Sequence, residues 1–246
     1  MEKSPRLYSE LVQLCGQPGQ WRDERHLQTL AWMVVGLIQA ECINLTAWIP
    51  FVRGRAQYAQ STQRRFRRWL ANRRIEVAPL YGPLLQQALQ EWGTHTLYLA
   101  LDTSLLWNRY CLIRLSVVYR GRAVPVVWEV IEHGSSSVPH EAYGALLDAV
   151  PALVPAGIKV VFLADRGFAD TALLAHLRRL GWHFRIRIKA SFRVIRPGQP
   201  SCKVEEFSLA PGRALFLHNV AITTRSLGPS RWLLPATAAL ESIGIS

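Results

Sequence analysis

Residues 97–102 read LYLALD, and the same form returns at residues 160–165 as VVFLAD. Each stretch is a short apolar run that fits one buried strand, and each ends in an aspartate. In an open α/β sheet the functional crevice lies beyond the carboxyl ends of the parallel strands. If these strands are neighbours, the sheet brings Asp102 and Asp165 to one edge. A single Asp after a strand is usually a turn former or a helix cap, but two at equivalent positions favour a site.

The residues around these two runs predict a mixed α/β sheet. From Thr96 the pattern indicates a three-stranded meander, then helix, strand, helix and strand, over residues 97–101, 112–119, 124–131, 139–150, 158–164, 170–180 and 183–189. A strand that returns through a helix pairs in parallel, so the sheet has a parallel and an antiparallel side. After Ala190 short strands alternate with turns at Pro197 and Gly198 and at Pro211 and Gly212.

Before Thr96 the sequence is helical and rich in arginine. The buried face of one helix is predicted to comprise Leu27, Leu30, Ala31, Val34, Val35 and Ile38. A second short helix fits residues 45–52, followed by a turn at Gly54 and Arg55. The N-cap types Ser61 and Thr62 then open a third helix, whose inner face is predicted to be Phe66, Trp69 and Leu70.

The rest of that third segment consists largely of arginines. They are Arg64, Arg65, Arg67, Arg68, Arg73 and Arg74, and no acidic residue offsets them. Two short helices joined by a turn, the second of them basic, are typical of a helix-turn-helix that contacts DNA. The alternative is a basic helix exposed to solvent.

The composition excludes several classes of protein. The 246 residues carry a formal net charge of +12, and only four of the 29 basic residues are lysines. A basic balance made largely of arginine points to a polyanion such as nucleic acid. The longest apolar run, residues 30–38, is too short to cross a bilayer, and the charged N-terminus lacks the apolar core of a signal peptide. We therefore expect a cytoplasmic protein without a membrane partner.

Sequence motifs for other chemistries are absent. The four cysteines form no CxxC pair, and the seven histidines form no HxxxH or HExxH pattern, so a zinc site is not predicted. The sequence also lacks GxGxxG, GxxxxGK[ST] and GxSxG, which argues against dinucleotide binding, a P-loop and a serine hydrolase.

Paired carboxylates without a nearby His or Cys are hard oxygen donors, which suit Mg²⁺ or Mn²⁺ better than zinc. On a basic protein, such a metal site suggests phosphodiester chemistry, in which two ions roughly 3.5–4 Å apart activate the attacking oxygen and stabilise the leaving one. Arg185, Arg187 and Lys189 alternate with apolar residues downstream. We interpret this basic row either as a phosphate contact near the acids or as a solvated strand face.

Trp107 follows Asp102 closely and has two interpretations. It could stack on a splayed base, as nucleic-acid enzymes sometimes require. A Trp at a strand end is more often part of the core, and this is the interpretation that we favour.

Four features together resemble the DDE transposases of the insertion-sequence 4 family: the context LALDTS, the meander, ADRGF on the next strand, and the basic strand FRIRIK. The resemblance covers roughly residues 24 to 224 and implies an RNase H-like fold of the retroviral-integrase type. It implies that Asp102 and Asp165 are the first two acids of a metal-binding triad. The implied partner is double-stranded DNA with the terminal inverted repeats of a transposon. The resemblance is also compatible with a homodimer of this chain on that DNA. The implied location is the bacterial cytoplasm, at the nucleoid when DNA is bound.

The third acid of the family's triad has no match in this sequence. The family carries it as a Glu within a Tyr-Arg-Glu-Lys pattern, on a helix after a β-rich insertion whose start residues 192–224 resemble. After Asp165 the only glutamates are Glu205, Glu206 and Glu241, and none stands in that pattern. Glu141 opens the helix where ribonuclease H enzymes place a catalytic Glu, but the helix dipole also favours a Glu there, and we favour this second interpretation. We expect a chain truncated within the insertion.

These expectations divide the chain into three parts. Residues 1–92 form a helical, basic, DNA-binding domain, residues 96–190 an RNase H-like catalytic core, and residues 191–246 a partial β-rich insertion with an irregular tail. The first hypothesis is a metal-dependent DNA transposase of an insertion sequence, impaired by the missing Glu. The alternative is a non-catalytic DNA-binding remnant that occupies element ends or inhibits an intact relative.

Overall fold

The computed structural model describes residues 3–17, 21–53, 58–92, 95–196, 198–207, 214–223, 234–239 and 242–245. The chain divides into two compact units, Met1–Ala88 and Leu89–Ser246. The first unit is helical and the second holds the sheets. The roles assigned to the three parts of the sequence stay predictions.

The helices of the N-terminal part are α1 (Lys3–Cys15), α2 (Glu24–Ala40), α3 (Leu45–Trp48), α4 (Ala59–Leu70) and α5 (Val77–Leu89). The short α3 continues as a 3-10 turn over Ile49–Phe51. Asp23 caps α2, because its side chain accepts a hydrogen bond from the Arg25 backbone N–H at 2.9 Å. The predicted turn at Gly54 and Arg55 lies outside the described residues.

Met33, Trp48 and Phe66 form the buried centre of the first unit. Gly36 allows α3 to approach α2 closely, because a Cβ at this position would lie 2.5 Å from the Cβ of Trp48. The Trp69 indole N–H donates to the His26 carbonyl at 2.9 Å and so ties α4 to α2. The arginine-bearing helix is therefore fixed to its neighbours by apolar packing and by a partly buried hydrogen bond.

Three details of the predicted helices are wrong. Helix α4 begins at Ala59, so Ser61 and Thr62 lie in its first turn and do not cap it. Thr62 is buried on the same side as Phe66, whereas Leu70 is exposed at the residue where the helix ends. Ile38 is also exposed, in the last turn of α2, although Leu27, Ala31 and Val35 of the predicted face are buried.

The second unit is built on a five-stranded sheet made of β1 (Thr96–Leu106), β2 (Tyr110–Tyr119), β3 (Arg122–Glu132), β4 (Lys159–Ala164) and β5 (His183–Ile186). The strand order is β3-β2-β1-β4-β5. Strands β1 to β3 form an antiparallel meander, whereas β1, β4 and β5 run parallel. The predicted α/β class with a mixed sheet is confirmed, and the arrangement is consistent with an RNase H-like fold.

Strands β1 and β5 differ most in length from the prediction, whereas the bounds of β2, β3 and β4 shift by one or two residues. Strand β1 continues to Leu106, because its antiparallel pairing with β2 runs as far as Leu106 and Tyr110. Its parallel pairing with β4 ends earlier, at Leu101 and Ala164. Strand β5 ends at Ile186 rather than at Lys189.

Helices α6 (Gly144–Ala149) and α7 (Thr171–Arg179) connect β3 to β4 and β4 to β5. The helix predicted over residues 139–150 is broken, since Tyr143 has φ −131° and ψ 0°. Glu141 therefore lies in the middle of a 3-10 turn, His140–Ala142, and does not open an α-helix. Helix α7 agrees with its prediction, because Asp170 caps it by accepting a hydrogen bond from the Leu173 N–H at 2.8 Å.

The core of the second unit is apolar on one face of the sheet. Fully buried side chains from the strands and from the two helices meet there, and they include Leu97, Leu99, Ile113, Leu115, Phe162, Ile186, Leu147, Leu173 and Leu177. The period-two alternation places Asp102, Arg114 and Arg185 on the opposite face, together with apolar side chains such as Val161 and Leu163. The candidate site is on this second face.

A group of polar side chains, called here the helix cluster, joins α6 to α7. The Arg179 Nη2 donates to Asp148 Oδ1 at 2.8 Å, and the His176 Nε2 lies 3.0 Å from the same oxygen. The other ring nitrogen of His176 shares a hydrogen bond of 2.9 Å with His140 Nε2. Burial raises the pKa of Asp148, but the hydrogen bonds from Arg179 and His176 outweigh this effect and hold the pKa below its ordinary value.

A second sheet follows, made of β6 (Arg193–Ile195), β7 (Cys202–Lys203), β8 (Ala214–Thr223), β9 (Leu234–Ala239) and β10 (Ser242–Ile245) in the order β10-β9-β8-β6-β7. Gly198 lies in a turn with φ +72°, whereas Pro197, Pro211, Gly212 and Glu241 lie outside the described residues. Among the described residues, no single helix is both long and apolar enough to span a membrane. The pair Glu24–Ala40 and Leu45–Phe51, bent by 97°, meets that test only when its two parts are taken together.

Candidate metal centre and nucleic-acid interface

The register of the parallel strands places Asp102 and Asp165 side by side. Leu101 pairs with Ala164, and each aspartate is the next residue of its chain segment. The backbone of Asp165 is extended, with φ −79° and ψ 168°, so it continues the direction of β4. Neighbouring strands lie about 4.8 Å apart. The two carboxylates therefore project from adjacent strands onto the same face, and their side chains are 59% and 65% exposed.

The position of Asp102 differs in one respect from the sequence prediction. Asp102 does not end β1 but lies within it, where it pairs with Arg114 of the antiparallel neighbour β2. It stands at the end of the parallel part of β1 only. The predicted meeting of the two acids thus depends on where the parallel ladder stops, and not on where the strand stops.

Two arginines flank the two acids. The Arg114 Nη2 donates to Asp102 Oδ2 at 3.1 Å. On the other side the Arg187 backbone N–H donates to the Ala164 carbonyl at 3.2 Å, and its Nη1 lies 4.0 Å from Asp165 Oδ1. Four charged side chains therefore form one row across β2, β1, β4 and the end of β5, in the order Arg114, Asp102, Asp165, Arg187. We call this the charged row.

The two arginines of the charged row are held differently. The Arg114 side chain is 31% exposed, and the Arg187 side chain is 60% exposed. The Arg114 Nε is buried, and within the described residues it has no hydrogen-bond partner. A buried donor left unpaired costs about 1–3 kcal/mol. The ion pair with Asp102 therefore satisfies only part of the Arg114 guanidinium.

The donor set of the charged row fits a hard divalent ion. Two carboxylates on one face can ligate Mg²⁺ or Mn²⁺, which complete their coordination with water and phosphate oxygens. Among the described residues, no three side chains of His, Cys, Asp or Glu come close enough together to hold an ion. Glu141 and Glu206 thus do not join the two aspartates, and Glu205 pairs with Lys203 at 2.9 Å.

The turn between β1 and β2 overturns the core interpretation of Trp107. Trp107 and Asn108 both have φ +51°, and the Arg109 N–H closes the turn on the Leu106 carbonyl at 3.1 Å. The Trp107 ring is 86% exposed, and it contacts Tyr110 edge to face with the ring centroids 6.5 Å apart. A positive φ is uncommon for a bulky residue and stores local strain. The ring lies at the tip of the hairpin, outside the core.

The predicted DNA-contacting arginines of the first unit fall into three groups. Arg64, Arg67 and Arg68 are exposed on α4. Arg65 is partly buried, with its guanidinium over the ring of Phe66. Burial raises the pKa of the Tyr8 phenol, and the charge of Arg65 offsets part of that rise. Arg73 and Arg74 lie in the loop that follows α4 and are exposed. All but Arg65 are accessible to a phosphate backbone.

The predicted basic strand of the second unit keeps its alternation. Arg185, Arg187 and Lys189 are exposed, whereas Phe184 and Ile186 are buried. Arg185 pairs with Leu163 in the register that brings Arg187 opposite Asp165. Arg185 and Arg187 therefore lie on the same face as the acids, although β5 itself ends between them.

Sequence reasoning missed Arg114. The predicted second strand began at Leu112, and its register against β1 depends on a turn that the sequence does not mark with Gly. The alternation Leu112, Arg114, Ser116 was the available signal, since it places an arginine on the polar face of the strand next to β1.

Residues 107–225 match the family model described as Transposase DDE domain, which covers a little under half of the chain. Asp165 and Arg187 lie within the matched segment, as does Arg114, whereas Asp102 lies just before it. No curated protein matches the chain. The fold and this match support a transposase of the DDE class, a class that acts on DNA at transposon ends and uses divalent metal ions.

Proposed function

We propose that this chain is a DDE transposase of the insertion-sequence 4 type, in which Asp102 and Asp165 hold Mg²⁺ or Mn²⁺ for the cleavage and transfer of DNA strands at terminal inverted repeats. The observation that carries the proposal is the pair of register-matched carboxylates on a mixed sheet. Strands β2 to β5 of this sheet lie within the segment that matches the Transposase DDE domain. The net charge of +12 supports DNA as the partner.

Each part of the chain has a separate task in this proposal. A divalent ion, when bound, activates the attacking oxygen and stabilises the leaving oxygen of the phosphodiester. Asp102 and Asp165 bind and orient that ion. Arg185, Arg187 and Lys189 hold the DNA backbone beside the acids, since exposed guanidinium and ammonium groups pair with phosphate oxygens.

The helical unit binds the DNA ends in this proposal. Arg64, Arg67 and Arg68 present a row of guanidinium groups along α4, and Arg73 and Arg74 extend it into the next loop. Such contacts position a protein on DNA and make its affinity fall steeply with salt. A dimer on DNA would allow two ends to be held at once.

The absence of a third carboxylate near the charged row, within the described residues, supports impaired catalysis. A two-ion mechanism needs ligands on both sides of the reacting phosphate, and two aspartates supply fewer than the family's three acids. The same observation favours the second candidate, a non-catalytic DNA-binding form that occupies element ends. The two candidates differ in whether any metal-dependent cleavage occurs.

Nicking of supercoiled plasmid by the full chain, in Mg²⁺ and separately in Mn²⁺, tests the proposal. The variants are Asp102→Asn and Asp165→Asn. Glu132→Gln is the matched control, because Glu132 is also an exposed strand carboxylate paired with an arginine, Arg109, at 3.0 Å. Chelation by EDTA removes the ion from the same samples.

We expect weak nicking that EDTA and both aspartate variants abolish and that the control variant keeps. Salt-sensitive DNA binding without nicking would support the non-catalytic form instead. Nicking that survives in either aspartate variant would contradict the metal centre. Binding that does not change with salt would contradict both candidates.

A further inference from the structure

We propose that Arg114 is an exchangeable counter-ion: it neutralises Asp102 in the metal-free protein, releases the carboxylate when the ion binds, and then pairs with a DNA phosphate. This role couples metal binding to DNA binding within one site. The inference rests on the proposed metal centre and adds a residue and a regulation that the centre alone does not require.

The register gives Arg114 this position. It is the direct cross-strand partner of Asp102, and its Nη2 reaches Oδ2 at 3.1 Å. Two carboxylates on adjacent strands repel each other when no cation is close. In the charged row each has an arginine on its outer side, so the four formal charges cancel. An incoming divalent ion competes with these arginines for the charge and the oxygens of the two carboxylates.

Arg114 is the stronger competitor of the two arginines. Its contact with Asp102 is shorter than the 4.0 Å that separates Arg187 from Asp165, and its side chain is half as exposed. Coulomb attraction strengthens with shorter distance and less solvent. Metal affinity in the absence of DNA should therefore depend on Arg114 more than on Arg187.

A phosphate satisfies Arg114 better than Asp102 does. The guanidinium has five N–H donors, and within the described residues its buried Nε has no partner. A phosphate group offers several oxygens at once and takes arginine in bidentate geometry. When DNA lies over the charged row, a phosphate group is therefore a favourable hydrogen-bond acceptor for the Arg114 guanidinium.

Reciprocal coupling follows from this exchange. The ion and the phosphate both favour the state in which Arg114 has left Asp102, so each shifts the protein toward the form that binds the other. By linkage, DNA raises the affinity for the ion by the same factor by which the ion raises the affinity for DNA. Without Arg114, most of the coupling between ion binding and DNA binding is lost.

The experiment measures Mn²⁺ binding to the full chain by electron paramagnetic resonance of the free ion, with and without a short random-sequence DNA duplex at low salt. The variants are Arg114→Gln, Arg114→Lys, Arg187→Gln and, as the control for an arginine–carboxylate pair elsewhere on the sheet, Arg109→Gln. Thermal melting followed by circular dichroism checks that each variant is folded.

In the wild type we expect DNA to raise the Mn²⁺ affinity at least fivefold. We expect Arg114→Gln to bind Mn²⁺ about tenfold more tightly than the wild type without DNA, because a competing unit charge is removed. The same variant should lose most of the effect of DNA. Arg187→Gln should change the Mn²⁺ affinity less, Arg114→Lys should lie between the wild type and Arg114→Gln, and Arg109→Gln should behave as the wild type.

An unchanged or weakened Mn²⁺ affinity in Arg114→Gln would overturn the inference, because Arg114 would then merely position Asp102. The absence of any effect of DNA on Mn²⁺ affinity in the wild type would overturn it as well, whatever the variants do. In both cases the metal centre itself survives if Asp102→Asn abolishes Mn²⁺ binding. If the wild type binds no Mn²⁺ with or without DNA, both the inference and the proposed metal centre fail.

Discussion

Two groups of aspartates and arginines in the second unit use the same side chains in opposite ways. In the helix cluster Asp148 Oδ1 lies 2.8 Å from Arg179 Nη2 and 3.0 Å from His176 Nε2. The His176 side chain is only 6% exposed. In the charged row two carboxylates stand side by side, and each has one arginine, at 3.1 Å and 4.0 Å. The first group directs two side chains from α7 at one oxygen of a single carboxylate, whereas the second brings two carboxylates together with one arginine each.

The difference follows from where each group lies. The helix cluster joins α6 to α7, so its partners come from fixed backbone positions on two packed elements. The charged row lies where the parallel ladder of β1 and β4 stops, on the face of the sheet opposite the apolar core. A carboxylate held by partners from a packed helix stabilises the fold, whereas two neighbouring carboxylates on one face are suited to bind a cation. Substitutions in the two groups should therefore separate function from stability.

The largest expected effect is on cleavage. Asp165→Asn should lower metal-dependent plasmid nicking at least about 100-fold, because one of two ion ligands loses its charge. The free energy of unfolding should change by no more than about 0.5 kcal/mol, since the Arg187 contact is long and exposed. Nicking rates and urea denaturation measure the two effects. If Asp165→Asn loses stability but keeps nicking, Asp165 stabilises the fold and does not bind the metal ion.

The opposite result is expected in the helix cluster. His176→Ala should lower the free energy of unfolding by about 2–4 kcal/mol, because it opens a cavity and leaves Asp148 and His140 without their shared partner. Salt-sensitive DNA binding should persist at temperatures well below the midpoint of unfolding. Arg109→Gln is the control, since an exposed pair contributes at most about 1 kcal/mol. Equal stability of His176→Ala and the control would show that the cluster is not structural.

A smaller gain in stability is expected at the hairpin tip beside the charged row. Trp107 has φ +51° and an exposed ring, so Trp107→Gly relieves a backbone conformation that disfavours side chains and loses little packing. We expect about 0.5–1 kcal/mol more stability by urea denaturation. Trp107→Phe retains the positive φ and should give no gain. A loss of stability in Trp107→Gly would mean that the contact of the ring with Tyr110 outweighs the strain.

The smallest effect concerns acid stability. The folded-state pKa of Asp148 lies below its ordinary value of 3.8, so its contribution to stability is present above that value and is lost as the pH falls through the folded-state pKa. The wild type should lose stability progressively below about pH 4. Asp148→Asn should flatten part of this dependence in thermal melts taken across the acid range. If the dependence of the melting temperature on pH is the same in Asp148→Asn as in the wild type, Asp148 does not contribute to acid unfolding.

The sequence predicted the two strands of the site from apolar periodicity, but it left open whether they are neighbours, which the strand order shows. Apolar runs ending at Asp102 and Asp165 identified the two strands, and the strand–helix–strand connection made them parallel. The alternation through Arg185 and Arg187 also predicted the basic face. These features depend on local pattern and on chain order, both of which are visible in one sequence.

The remaining features depend on contacts that no local pattern contains. Arg114 could be placed only with the register of β2, which is determined by a turn at Trp107 and Asn108 that lacks the usual glycine. The exposure of Trp107 follows from the same turn. The break at Tyr143 and the start of α4 at Ala59 likewise depart from the local helix signals at Pro139 and at Ser61.

Localised oxidative cleavage by bound Fe²⁺, which takes the same octahedral oxygen sites as Mg²⁺ and Mn²⁺, tests the metal centre most directly. The full chain is incubated with Fe²⁺, ascorbate and peroxide, and the cut positions are identified by mass spectrometry. We expect two groups of cuts, around Asp102 and around Asp165, both suppressed by excess Mg²⁺ and by either Asp102→Asn or Asp165→Asn. Cuts at only one of these positions, or cuts that persist in the two variants, would contradict a shared metal centre.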